Sequence, residues 1–192
     1  MTFHALQDRP WRPYANASYE KVAHDYDLVV NEIKRFAGEE VVGEFTTIHW
    51  GEAPLEGCRA LRDRGIRGLV GYFLFKDGKP WVSYYHGDEI VRHMQTRDYF
   101  KDIEENLIFI KHDIVINTVP LDKIVPHLEE VASVRTRAEL MELMIHEQYF
   151  YPHFRAYKPD FAERVETAIR WCAENDYKPV FWMDGFIGVP ED

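Results

Sequence analysis

Segments with helical and with strand character alternate along the whole chain, and this alternation constrains the fold more than any other feature. Apolar residues in the first helical segment step by four and three from Val22 to Phe36, the spacing of a single helical face. The next segment, 41–50, is rich in β-branched and aromatic residues, which are typical of strands. Because strands joined by helices form parallel sheets with right-handed crossovers, we expect an α/β fold with a mainly parallel sheet.

Five helical and five strand segments are predicted. The helical segments are 18–37, 54–65, 87–101, 120–132 and 159–174, and the strand segments are 41–50, 66–75, 106–118, 139–150 and 177–186. The turn signal at 76–79 followed by strand-type residues 81–85 predicts an antiparallel β-hairpin, which we interpret as an insertion or a covering flap.

The length of the chain limits the type of α/β fold. A complete (β/α)8 barrel needs about 250 residues, whereas this chain has 192. We therefore expect one domain over 1–192, built as an incomplete or distorted (β/α) barrel. Open sheet edges must be covered, and we expect the N-terminal arm, the hairpin or a second subunit of a homodimer to cover them.

Composition excludes several classes of partner. The net charge of −10 argues against nucleic acid and against an anionic membrane surface. No apolar run is long enough to span a bilayer, and the N-terminus has no signal-peptide pattern. With only Cys58 and Cys172, interpreted as reduced core thiols, we expect a cytoplasmic protein.

The stretch 139–161 is the strongest candidate for a functional segment. An apolar run ends at His146 and Glu147, and seven aromatic residues follow them: Tyr149, Phe150, Tyr151, His153, Phe154, Tyr157 and Phe161. A buried strand with polar groups at its C-terminal end fits this pattern, and α/β folds bind ligands beyond the carboxyl ends of their strands.

Three predicted strand ends carry a histidine and an acid. These pairs are His49 with Glu52, His112 with Asp113, and His146 with Glu147, and we expect at least two of them to converge. A histidine beside a carboxylate suits general acid–base catalysis, two carboxylates suit a glycosidase, and three histidines with an aspartate suit a divalent metal. The alternative is that these groups are ordinary hydrogen-bonded residues at the edge of the core.

Other side chains have predicted roles in ligand contact or in packing. Trp50, Tyr149 and Trp182 lie near predicted strand ends and are candidates for stacking on a sugar ring. Trp11, Trp81 and Trp171 are interpreted as packing groups. The glycine-rich motifs of dinucleotide-binding folds and P-loops and the GxSxG elbow of α/β-hydrolases do not occur.

The segment LMIHEQYFY, with the later AIRWCAENDYKPVFW, resembles the closing section of NodB-type polysaccharide deacetylases. TTIHWGEAPLEGCRALRDRGIRGLVGYF is similar to an earlier strand–loop–helix–strand unit of that family. The resemblance implies a distorted (β/α) barrel and metal-dependent removal of acetyl groups from amino sugars, with His146 protonating the leaving amine. The family's Thr-Phe-Asp-Asp-Gly motif, which supplies the catalytic base and a metal ligand, has no counterpart in this sequence. The resemblance therefore implies a divalent metal, but the motif that binds it in the family is absent here.

Three functional hypotheses follow. The first is a carbohydrate-active hydrolase acting on an acetylated amino sugar or a similar saccharide, with His146, Glu147, His49, Glu52 and Asp113 as catalytic candidates. The second is a non-catalytic member of the same fold that binds a saccharide or a protein through its aromatic residues. The third is a scaffold protein whose polar strand ends are satisfied in place.

Overall fold

The computed structural model describes residues 1–7 and 9–184. The helices are α1 (Tyr19–Ala37), α2 (Leu55–Arg62), α3 (Asp88–His93), α4 (Ile124–Ala132) and α5 (Phe161–Glu174). The strands are β1 (Phe45–Thr46), β2 (Gly68–Gly71), β3 (Leu74–Lys76), β4 (Lys79–Trp81), β5 (Tyr99–Asp102), β6 (Leu107–Lys111), β7 (Ile114–Val115) and β8 (Leu143–Met144).

The chain divides into two compact units. Unit 1 comprises residues 1–95, 99–111 and 180–184, and unit 2 comprises residues 96–98 and 112–179. Each unit has its own apolar cluster. The largest cluster in unit 1 is centred on buried side chains of α1, α2, β2 and β6, and the cluster in unit 2 on buried side chains of α4 and α5.

Unit 1 is organised around a four-stranded sheet in the order β1-β2-β6-β5. β1, β2 and β6 are parallel, and β5 is antiparallel to β6. All four residues of β2 are buried, as expected for the central strand of a covered sheet. The predicted α/β fold with a mainly parallel sheet is confirmed, and the described residues form no closed barrel.

The N-terminal arm lies along the outer edge of β1. The amide of Gly43 donates to the carbonyl of Met1 at 2.7 Å, and the amide of His49 donates to the carbonyl of His4 at 3.0 Å. The Thr46 hydroxyl donates to the carbonyl of Phe3 between these contacts. The arm therefore accepts hydrogen bonds from main-chain amides on either side of β1 and from the Thr46 side chain within it.

The hairpin forms at the predicted turn. Leu74 pairs with Trp81 and Lys76 with Lys79. Asp77 and Gly78 have φ angles of 52° and 74°, and positive φ at both central residues is typical of a two-residue type I′ turn.

Unit 2 joins a short parallel pair to two helices. β7 pairs with β8 through Ile114↔Leu143 and Val115↔Met144. Ile124 and Leu128 of α4 and Ala168 of α5 are fully buried in the cluster of this unit. These positions of the two helices therefore face a common core.

Five secondary-structure predictions were wrong in part. Segment 41–50 forms a strand only at Phe45–Thr46, and the second strand of the hairpin lies at Lys79–Trp81 and not over 81–85. Segment 139–150 forms a strand only at Leu143–Met144 and then a 3₁₀ helix at Glu147–Phe150. The helix predicted over 87–101 ends at His93, and residues 99–102 form β5 because they pair with β6. In the last predicted strand, residues 177–184 form no strand, and the end of that segment lies outside the described residues.

None of the helices in the described part of the chain combines the length and apolar character needed to cross a membrane.

Candidate functional site

The predicted site residues are distributed over both units. Unit 1 contains His49, Trp50, Glu52 and Trp182, and unit 2 contains Asp113, His146, Glu147 and Tyr149.

A cavity in unit 1 brings together polar and aromatic side chains. Its volume is about 640 Å³, and its walls are Trp11, Arg12, Ala15, Asn16, Glu52, Ala53, Pro54, Leu55, Tyr84 and Tyr85. Glu52 lies in the connection that leads from β1 to α2, beyond the carboxyl end of a parallel strand. Ligands of α/β folds bind at this position relative to the sheet.

Arg12 and Glu52 form the charged part of the cavity wall. The Nε and Nη2 groups of Arg12 donate to the two carboxylate oxygens of Glu52, a bidentate arrangement that fixes both side chains. The side chain of Glu52 is 10% exposed and that of Arg12 30% exposed. Bidentate pairing uses two guanidinium nitrogens, and Nη1 has two further N–H donors available for a ligand.

Three tryptophan and tyrosine side chains form the aromatic part of the wall. Trp11 is 67% exposed, so its interpretation as a packing residue was wrong; its ring meets that of Trp50 edge to face at 5.3 Å. The hydroxyl of Tyr84 donates to the carbonyl of Val70 at 2.6 Å, and that of Tyr85 donates to Asp102 at 2.7 Å. These anchors hold the two tyrosine rings in place.

Burial raises the pKa of both tyrosines that line the cavity, and for Tyr85 the neighbouring Asp102 carboxylate raises it further. Both hydroxyls therefore stay protonated at physiological pH. They serve as hydrogen-bond donors that fix the rings.

Backbone conformations that are rare for bulky residues occur at two residues of the cavity wall. Arg12 and Tyr84 have φ angles of 59° and 55°, and Trp50 (70°), Phe73 (51°) and Val82 (47°) in the same unit also have positive φ angles. For a β-branched residue such as Val82 this region is sterically costly. Backbone strain of this kind concentrates at functional sites, where the surrounding structure maintains it.

His49 forms a pair with His4 next to the same loop. Nε2 of His4 lies 3.0 Å from Nδ1 of His49, and Nδ1 of His4 lies 2.5 Å from the carbonyl oxygen of Thr47. A carbonyl only accepts, so Nδ1 of His4 carries a proton. When His4 is neutral, its Nε2 accepts from Nδ1 of His49, and this fixes the orientation of the His49 ring.

His146 in unit 2 is positioned by Asn117. Asn117 Oδ1 accepts the backbone N–H of His146 at 2.9 Å and lies 3.1 Å from Nδ1 of the ring. Nδ1 is therefore the protonated nitrogen of a neutral His146 ring. Glu147 is exposed at the start of the 3₁₀ helix, and the Tyr149 ring lies 6.1 Å from the His146 ring.

Asp113 belongs to a buried polar network in unit 2. It accepts from the Glu142 amide at 3.0 Å and from Arg137 at 3.3 Å, and Glu142 in turn pairs with His112 at 2.8 Å. Burial raises the pKa of Asp113 to about 6, opposed by the Glu142 amide and Arg137. The prediction that His112 and Asp113 are polar groups at a strand end is consistent with this network.

The described residues do not fit the metal implied by the resemblance. Within residues 1–7 and 9–184, no group of three or more histidine, cysteine, aspartate or glutamate side chains is placed to hold a metal ion.

The sequence indicated Glu52 and Trp50 but missed Trp11, Arg12, Tyr84 and Tyr85. The aromatic pair Tyr84-Tyr85 ends the strand predicted over 81–85 and was an available signal. Arg12 had no such signal, since it lies in an aperiodic segment 40 residues before its partner Glu52.

No family model, curated protein or solved structure matches the chain.

Proposed function

We propose that this chain is a carbohydrate-active hydrolase, related to polysaccharide deacetylases, that binds an N-acetylated amino sugar or a similar saccharide in the unit 1 cavity. The observation that carries the proposal is the composition of the cavity wall. It combines an exposed tryptophan, two anchored tyrosines, a carboxylate and a guanidinium at the carboxyl end of a parallel strand.

Each part of the wall matches a part of such a sugar. Aromatic faces stack on the apolar face of a pyranose ring. Trp11 supplies a large aromatic surface in the cavity wall, and Trp50 packs edge to face against it. An acetamido group has a carbonyl that accepts and an N–H that donates. Arg12 Nη1 is a suitable donor to the carbonyl, and a Glu52 oxygen is a suitable acceptor for the N–H.

The proposed reaction is hydrolysis of the amide, in which water and the N-acetyl group give acetate and a free amine. One group must take a proton from water and another must protonate the departing nitrogen. His49 and Glu52 are the candidates in unit 1, and His146, Glu147 and Asp113 are the candidates in unit 2. His146 keeps the proton-donor role that the resemblance implies.

We also propose that the fold is related to that of polysaccharide deacetylases. In this proposal β1, β2 and β6 with their crossover helices form an arc of a distorted (β/α) barrel, and the β3–β4 hairpin is an insertion into it. The parallel order of the three strands supports this view. A fold relationship alone does not grant the activity, so the test has to measure binding and turnover.

To test the proposal, the protein is incubated with an N-acetylated chito-oligosaccharide. Binding is measured by calorimetry, and the release of acetate is measured by NMR. Glu52→Gln should weaken binding by about ten- to a hundredfold, because a hydrogen bond to a charged group contributes roughly 1.5–3 kcal/mol. His146→Ala should reduce acetate release by about two to four orders of magnitude. Glu56→Gln, an exposed acid on α2, is the matched control and should change neither.

The outcomes separate the hydrolase from a non-catalytic binder. Binding that depends on Glu52, without acetate release by the parent protein, would favour the binder, which is the second candidate. That candidate is supported by the exposed ring of Trp11 in the cavity wall. A loss smaller than tenfold in His146→Ala would remove His146 from the acid–base role, and no binding by the parent would refute the cavity assignment.

A further inference from the structure

Two buried aspartates in unit 2 hold the segment that leads into β8. We call residues 135–142 the strap. Oδ2 of Asp98 accepts the amide of Leu140 at 3.2 Å, and Oδ2 of Asp113 accepts the amide of Glu142 at 3.0 Å. The amides of Leu140 and Glu142 therefore donate to side-chain carboxylates. In a β-strand, amides at such alternate positions donate to main-chain carbonyls of a neighbouring strand.

Both carboxyl groups are almost fully enclosed. Asp98 is 4% exposed and Asp113 is 7% exposed. Oδ1 of Asp98 is buried and has no hydrogen-bond partner in the described structure. Enclosing a carboxylate that lacks a full set of donors disfavours its charged form.

Most charged groups that interact with the two aspartates are acidic. The carboxylates of Asp113 and of Glu139, which belongs to the strap, both repel negative charge on Asp98. Asp113 faces Arg137 and Glu142 of the strap, and His127 of α4 donates to its backbone carbonyl. His112 is bonded to Glu142, and Tyr177, which follows α5, interacts with both aspartates. Arg137 is the only cation of the strap in contact with Asp113 or Asp98 among the described residues.

We propose that Asp98 and Asp113 form a proton-dependent latch, in which protonation of either carboxyl group favours the fastened strap and ionisation of either group favours the loosened strap. The strap continues directly into β8 and then His146. Loosening it therefore reduces the order of the segment that positions His146. The latch does not depend on the proposed saccharide activity and is tested without a ligand.

The direction of the effect follows from proton linkage. Burial and the neighbouring Asp113 raise the pKa of Asp98 to about 7, and burial raises that of Asp113 to about 6. In the loosened strap both groups are hydrated and ionise near pH 4. Raising the pH therefore ionises the loosened form first and shifts the equilibrium towards it.

The test is amide hydrogen exchange of Leu140 and Glu142 between pH 5.5 and 8.5, corrected for the intrinsic pH dependence of exchange. The protection of Leu140 should fall by about thirtyfold from Asp98 alone, with about a further fourfold from Asp113. In Asp98→Asn the fall should shrink to about fourfold. Asp122→Asn, an exposed acid before α4, is the matched control and should behave like the parent.

A second variant keeps the test decisive if Asp98→Asn does not fold. Glu139 is exposed on the strap and raises the pKa of Asp98, so Glu139→Gln should move the midpoint of the Leu140 profile to lower pH. Protection that does not vary with pH in the parent, or that varies equally in Asp98→Asn, would overturn the latch. Loss of saccharide binding or turnover would not affect this result.

Discussion

His86 shows how one buried residue couples the core of unit 1 to pH. Its ring centroid lies 4.3 Å from those of Tyr85 and Phe109, and its Nε2 is buried without a hydrogen-bond partner in the described structure. Burial lowers the pKa of His86 to about 4, with Asp102 opposing the shift. Because Tyr85 lines the cavity, the protonation state of His86 affects the wall of the proposed site.

His86→Phe should make unit 1 less sensitive to acid. The unfolded chain binds a proton at His86 near pH 6.5, whereas the folded protein resists it until about pH 4, so this contribution to stability is present above pH 6.5 and is lost as the pH falls. The parent should lose roughly 3 kcal/mol more than the variant between pH 7 and pH 4. Urea unfolding at the two pH values measures this difference.

The control for this measurement is His24→Phe, which changes an exposed histidine on α1. It should retain the acid sensitivity of the parent. Equal losses in the parent and in His86→Phe would show that protonation of His86 does not limit stability in acid.

At the scale of elements, the pairing of β1 with β2 depends on a residue without a side chain. Gly68 pairs with Phe45, and a Cβ atom at Gly68 would overlap the Phe45 ring. β1 is followed by the loop that contains Glu52, and Val70 of β2 accepts the hydrogen bond of the Tyr84 hydroxyl. Since Glu52 and Tyr84 both line the cavity, the spacing of the two strands affects its shape.

Gly68→Ala should destabilise the protein by about 1–3 kcal/mol, the usual cost of overpacking a core. Thermal and urea unfolding measure the change. Gly78→Ala is the comparison variant. A Cβ atom at Gly78 would meet no other atom within 4 Å, but the φ angle of +74° is strained for alanine, so this variant measures conformational strain without crowding. A neutral Gly68→Ala variant would mean that the Phe45 ring moves aside without cost.

Helices were more predictable than strands because their signal is local. The spacing of Val22, Tyr26 and Val29 identifies α1 from its own sequence. The apolar run before His146 looked like a strand, but its amides donate to side chains of Asp98, Asp113 and Asn117, which lie 29 to 42 residues away. A side-chain partner at that distance leaves no periodic signal in the segment.

The site was predictable to a similar extent. Glu52 and Trp50 were indicated because they follow a strand-type segment, and the structure places Glu52 in the cavity wall. Arg12 could not be predicted, since its role depends on an ion pair formed only after the arm has folded back. The convergence of at least two of the three histidine–acid pairs stays a prediction.

At the scale of the whole molecule, the net charge of −10 disfavours polyanionic ligands. A neutral saccharide avoids this repulsion, and it uses the aromatic surfaces that both units offer. In unit 2, Phe150 and Tyr151 are 54% and 48% exposed and provide the aromatic surface of the alternative hypothesis.

The most direct measurement is an NMR titration of the protein with an N-acetylated chito-oligosaccharide, following backbone amides and tryptophan indole N–H groups. A saccharide in the unit 1 cavity should give saturable shifts concentrated at residues of the cavity wall, among them Trp11, Asn16, Glu52, Tyr84 and Tyr85. Absence of shifts, or shifts confined to residues 149–161, would contradict the placement of a saccharide site in the unit 1 cavity.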